Sequence, residues 1–104
     1  ESQARLDLHG MTVDVARREV EQFVKECMHY ELRVVTLVHG KGTRSSGGKA
    51  LLKSHCVQWL PQIDDVVAFH SAQAQHGGNG ALYVLLRKSD TAKQRNRELH
   101  GGRQ

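Results

Sequence analysis

Apolar residues along this chain come in short bursts at two different spacings, and the alternation predicts strands and helices in the order βαβαββ. Residues 6–8 read as a short strand, with Leu6 and Leu8 pointing one way and Asp7 and His9 the other, by the two-residue repeat of extended backbone. Gly10 makes the turn, Thr12 is placed to cap a helix, and Asp14 in its first turn favours the helix dipole. That helix is predicted over 13–30, where Val13, Ala16, Val20, Phe23, Val24 and Cys27 fall on one face. Arg17, Arg18, Glu21, Lys25 and Glu26 lie mostly on the other, as a solvated face requires. Residues 34–38, Val-Val-Thr-Leu-Val, form an unbroken, β-branched run suited to a strand inside a sheet. A loop rich in glycine and hydroxyls follows, from His39 to Gly48. A second helix is expected from 48 or 49 to 60, with Leu52, Cys56, Trp59 and Leu60 as its apolar stripe and Pro61 as its stop. Strands at 66–69 and 81–87 flank a loop holding His76, Gly77, Gly78, Asn79 and Gly80.

This order implies a topology. Crossovers through a helix are right-handed by strong preference, which makes the first three strands parallel. The fourth follows a loop without a helix and should run antiparallel to the third. The expected fold is a two-layer α/β sandwich, a four-stranded mixed sheet with two helices on one face. The ends of the first two strands and the 77–80 loop then converge on the sheet edge where open α/β sheets bind ligands.

At 104 residues the chain is one domain at most. Residues 1–5 are polar and expected to fray, 6–88 form the folded domain, and 89–104 form a basic tail too poor in apolar residues to hold itself in the core, mobile or loosely helical. The sequence opens at Glu1, not methionine, as a processed or truncated piece would. The net charge of +4 resides at the C-terminal end: from Arg87 onward six basic residues face Asp90 and Glu98, whereas residues 1–86 carry nine of each sign. The folded part is therefore no general polyanion sponge, and nucleic-acid binding needs a local patch plus the tail. No run approaches a membrane span, no signal peptide is visible, and no membrane partner is expected. Cys27 and Cys56 sit on or beside the helical apolar stripes and read as buried free thiols, which suits a reducing, cytoplasmic setting.

Two stretches carry candidate chemistry. Asp7 and His9 share a face at a strand end, and an aspartate beside a histidine fixes its tautomer and stabilises the imidazolium. An ordinary polar turn explains the same spacing; the repetition of His39 at the matching position of the next strand raises the functional reading to parity with it. In His39-Gly40-Lys41-Gly42 the glycines let backbone N–H groups approach an anion while Lys41 supplies a point charge; a tight turn with an exposed lysine is the plain alternative. The loop is not a nucleoside-triphosphate loop: Gly42 and Gly47 have the right gap, but Gly48 takes the lysine position and no hydroxyl residue follows Lys49. Gly77 to Gly80 read as a plain connection needing positive φ, a common use of such residues, or instead as a backbone cradle for phosphate. No metal-ligand spacing is present, so a divalent ion is neither required nor excluded. Tyr30, Tyr83 and Trp59 read as too few and too scattered for a base-stacking platform.

Taken together, Leu-Asp-Leu-His-Gly at 6–10, His-Gly-Lys-Gly at 39–42, Trp59-Leu60 before Pro61, Val-Ala-Phe at 67–69 and the Gly-Gly-Asn-Gly-Ala-Leu-Tyr-Val-Leu-Leu-Arg run at 77–87 resemble the small MutS-related (Smr) domain, in its stand-alone bacterial form. The resemblance implies a fold like the C-terminal domain of translation initiation factor three. It also implies endonuclease activity, by DNA nicking, RNA cleavage or both. On the matching motifs, Asp7, His9 and His39 are the implied catalytic residues, and Gly40, Lys41, Gly42, Arg44, Gly77, Gly78 and Gly80 the implied nucleic-acid or phosphate contacts. Nucleic acid is the expected partner, with the ribosome as another for some members. The long N-terminal extension common in stand-alone members has no counterpart before Glu1. A binding module that grips nucleic acid or a ribosome without cutting is the alternative, and a small-molecule phosphate enzyme a weaker third.

Overall fold

The structure, a computed structural model, describes residues 2–40, 51–72, 80–90 and 94. Its elements are β1 (Arg5–Asp7), α1 (Val13–His29), β2 (Val34–Val38), α2 (Leu51–Trp59), β3 (Val66–Ser71) and β4 (Ala81–Leu86). They follow the order that the hydrophobic pattern predicts. Thr12 caps α1 as expected, its side-chain Oγ1 accepting from the Val15 N–H at 3.3 Å, with Asp14 in the first turn. At the other end the Glu31 N–H donates to the Met28 carbonyl and the Leu32 N–H to the Cys27 carbonyl. This pair of bonds reverses the chain into β2 with Glu31 in the left-handed region at φ 61°. α2 gives way at Leu60–Gln62 to a short 3-10 turn around Pro61.

The strands form one sheet in the order β1-β2-β4-β3. β1 runs parallel to β2, and β4 runs antiparallel to both β2 and β3. The first three strands therefore share a direction, as the handedness argument expects, and β4 is inserted between the second and third. Both crossovers progress the same way across the sheet, so right-handedness puts α1 and α2 on the same face. β3 continues two residues past Phe69, because His70 and Ser71 pair with Tyr83 and Leu82 of β4. A bulge between Val66 and Ala68 leaves Val67 unpaired and 59% exposed on this edge strand.

The core lies between the helices and one face of the sheet. Leu8, Val35, Leu37, Leu82, Val84 and Leu86 from the sheet side meet Ala16, Val20, Val24 and Cys27 of α1, and Cys56, Trp59 and Leu60 of the α2 segment. Cys27 and Cys56 are buried and free; burial pushes the Cys56 thiol up to about 11. The other face, reached by Arg5, Asp7, Thr36, His70 and Tyr83, is covered by neither α1 nor α2. At the start of β2 the Gln3 side-chain oxygen accepts from the backbone N–H groups of Arg33 and Val34, at 2.7 and 2.9 Å, tying the N-terminal segment to the sheet. Among the described residues no helix is long and apolar enough to cross a membrane. Asp90 and Gln94 have helical backbone; the remainder of the basic tail lies outside the described residues.

Candidate functional site

The chain leaves β1 and β2 through two similar turns, each a histidine followed by a glycine in the left-handed region: Gly10 at φ 81° and Gly40 at φ 82°. Leu8, fully buried, anchors the first turn in the core. Its neighbours in the two-residue repeat, Asp7 and His9, are thereby held on the opposite, helix-free face. Asp7 Oδ1 receives the His9 backbone N–H at 3.0 Å and lies 2.7 Å from His9 Nδ1. An ionised carboxylate only accepts, so this contact puts a proton on Nδ1 and leaves Nε2 as the basic nitrogen of a neutral ring. The His9 side chain is 73% exposed, which leaves that ring open to a substrate. The hydrogen bond from the His9 ring holds the Asp7 carboxyl below its ordinary 3.8, aided by the His9 backbone N–H, against a small opposing effect of burial.

The second turn is built differently. The registered pairs Arg5–Thr36, Leu6–Leu37 and Asp7–Val38, carried on by the Leu8 N–H donating to the Val38 carbonyl at 2.6 Å, set Leu8 beside His39 and His9 beside Gly40. Residues registered in parallel strands share a face. His39 therefore follows Leu8 and Leu37 toward the helices, with 4% of its surface exposed. The expectation that His39 occupies the position matching His9 is corrected here: a one-residue offset sends the two imidazoles to opposite faces. His39 Nδ1 lies 2.6 Å from the Gly40 carbonyl oxygen. A carbonyl only accepts, so Nδ1 carries the proton. Nε2 is buried without a hydrogen-bond partner among the described residues. Burial lowers the His39 pKa below its ordinary 6.5; the Gly40 carbonyl opposes this and the charge of Lys53 adds to it.

The two turns touch through Gly40. A Cβ placed there would lie 3.3 Å from His9 Cβ, whereas one placed on Gly10 would meet nothing within 4 Å. Gly80 joins them: its carbonyl accepts from the backbone N–H groups of His39 and Gly40, at 2.9 and 3.0 Å. The fold thus brings Asp7, His9, Gly40 and Gly80 to one sheet edge and holds the His39 ring beneath it. Lys41, Gly42, Arg44, Gly77 and Gly78, and with them His76, lie outside the described residues. Among the described residues no three His, Cys, Asp or Glu side chains gather as a metal site. One association escaped the sequence. His70 and Tyr83 stack edge to face on the helix-free side, with ring centroids 5.5 Å apart and planes at 83°. Alternation in 81–87 assigns Tyr83 a face, but only the strand order supplies its neighbour.

Comparison with known proteins agrees with the resemblance. The model of the Smr domain family matches residues 6–87. A protein of Escherichia coli K12 named probable DNA endonuclease SmrA is 40% identical over 97% of this chain and 54% of its own length. A Vibrio vulnificus protein named ribosome rescue factor SmrB is 42% identical over 78% of this chain and 43% of its own. The chain thus spans about half the length of these curated relatives. Among solved structures, the Smr domain of Thermus thermophilus MutS2 superposes with a TM-score of 0.73 at 33% identity, covering 81% of this chain and 98% of that one. YdaL, a stand-alone small MutS-related protein from Escherichia coli, does so with 0.76 at 38% identity, covering 85% and 67%.

Proposed function

Because this chain belongs to the Smr domain family, we propose that it is an endonuclease that breaks phosphodiester bonds in nucleic acid, with His9 as its acid–base residue. The observation that carries this reading is the exposed His9 ring held at Nδ1 by the Asp7 carboxylate. In that state Nε2 takes a proton from the attacking nucleophile, and the nearby carboxylate stabilises the imidazolium that forms. With RNA the nucleophile is the neighbouring 2′-hydroxyl. Its oxygen bonds to phosphorus, the 5′-oxygen leaves and collects a proton, and a cyclic phosphate remains. With DNA a water takes the hydroxyl's place. Lys41 and Gly42 follow Gly40 directly in the chain and are the proposed phosphate contacts, together with Arg44, Gly77 and Gly78. His39, buried on the opposite face, acts by fixing the Gly40 turn against His9.

The test is cleavage of end-labelled RNA and DNA by the purified chain, with and without chelator. Product from the wild type and none from His9→Ala is the expected result; equal cleavage by the two ends the proposal. A second reading has its own support, the relatives named ribosome rescue factor. In it the chain docks on nucleic acid or a ribosome and does not cut, with cytoplasmic ribosomes as the setting. It requires an affinity that falls steeply with salt and no product under any metal condition.

A further inference from the structure

The sheet face not covered by α1 or α2 carries a row of side chains aligned across all four strands. The registered pairs Arg5–Thr36, Thr36–Tyr83 and Tyr83–His70 place them in that order from edge to edge. The edge-to-face pair of His70 and Tyr83 closes one end of the row, and exposed Arg5 closes the other. Asp7 and His9 belong to the same face, two and four residues beyond Arg5 along β1. With ordinary strand spacing and rise, the His9 turn lies roughly 16 Å from the Tyr83–His70 pair, a reach that a few nucleotides of extended single strand cover.

The chemistry of the face selects its occupant. Arg5 is a fixed, exposed cation on this face, and the acid it shares the face with, Asp7, is already engaged by the His9 ring, which leaves Arg5 to meet an anion. The aromatic phenol and the exposed imidazole offer ring surfaces, which attract base faces through stacking. A duplex hides its base faces inside the stack and presents only edges and phosphates; a single strand presents the faces themselves. An anionic polymer with exposed planar rings matches both features at once.

We propose that this sheet face, opposite α1 and α2, is a track for single-stranded nucleic acid, on which a base stacks against Tyr83 and His70 while a phosphate further along the strand reaches Asp7 and His9; the inference rests on the nuclease reading for the second half of that sentence. Selection for unpaired strands then precedes any chemistry, and Arg5, on β1 at the far end of the row, draws the backbone toward the strand that carries Asp7 and His9.

The experiment compares affinities by fluorescence anisotropy, using a labelled twelve-nucleotide single strand and the same sequence as a duplex. All proteins carry His9→Ala so that cleavage does not intervene. The single strand should bind more tightly than the duplex. His70→Ala and Tyr83→Ala should each weaken single-strand binding by roughly fivefold or more, while Tyr83→Phe, which keeps the ring, should not. Neither ring change should alter the slope of log affinity against log salt, whereas Arg5→Ala should flatten it by about one unit. His70 lies exposed on an edge strand, so His70→Ala remains informative should Tyr83→Ala unfold, as thermal melts would reveal. Tighter duplex binding, or wild-type affinity in both ring variants, overturns the track. Loss of affinity in the ring variants with no cleavage by the parent chain would instead leave the track standing and remove the nuclease reading; cleavage with unaffected binding would do the reverse.

Discussion

The two histidine–glycine turns at the ends of β1 and β2 look alike in sequence and differ in almost every physical respect. His9 stands in solvent, and its Nδ1 meets a carboxylate at 2.7 Å. His39 is buried, and its Nδ1 meets a neutral carbonyl at 2.6 Å. The first arrangement fixes the tautomer and leaves Nε2 open to a reactant. The second lies in a low-dielectric setting that disfavours the charge, and its Nε2 is buried without a partner among the described residues. One residue of register separates the two fates, because it decides which face each ring meets.

That contrast can be attacked directly. The largest expected effect is on catalysis: His9→Ala should lower the cleavage rate by about a hundredfold or more while leaving the melting temperature nearly unchanged, since an exposed pair contributes little to stability. Asp7→Asn should give a smaller loss in rate, read in the same assay. His39→Ala should show a different signature, a fall in stability of about 2 kcal/mol from lost packing, seen as a melting temperature lower by roughly 10 °C. A His39→Ala protein that melts like the wild type would mean that the two turns are less different than their surroundings imply.

A finer comparison sets Gly10→Ala against Gly40→Ala. Both put a side chain on left-handed backbone, which costs about 1–2 kcal/mol, and denaturant midpoints should fall similarly. Only the Gly40 change also crowds His9, whose Cβ would be 3.3 Å away. Cleavage should therefore fall further in Gly40→Ala than in Gly10→Ala at matched fraction folded. Equal rates would detach Gly40 from the positioning of His9.

The smallest effect is the pH dependence of stability, in which the two turns occupy separate windows. The folded His39 pKa lies below 6.5, so as pH falls the unfolded chain binds the proton first. The stability this group contributes is complete above about pH 6.5 and declines as pH drops through that value toward the folded pKa. Asp7 is likewise depressed, and its contribution is complete above 3.8 and declines below it. Thermal melts across pH should show the upper decline in wild type and lose it in His39→Gln; Asp7→Asn should leave it in place.

Much of the architecture was legible because it is local. Period and capping place α1 and its Thr12 cap, and the β-branched run places β2 at Val34–Val38 without adjustment. Handedness supplies the common direction of three strands and the single helical layer. The Asp7–His9 contact was legible too, since two residues that share a strand face two positions apart are neighbours in any fold containing that strand. The position of β4 between β2 and β3, the extension of β3 to Ser71 and the bulge at Val67 were not, because each depends on which distant strand offers its hydrogen-bonding edge.

The sequence by itself determined the elements, their order, the family and the pairing of Asp7 with His9, because short-range sterics and periodic burial act within a few residues. Tertiary structure alone decided that Gly40 and Gly80 close around the His9 turn, that His39 turns inward, and that His70 meets Tyr83. Those outcomes depend on pairing register and strand order. Both are set by the summed burial of the whole sheet against its helices, a quantity that no single stretch of the chain contains.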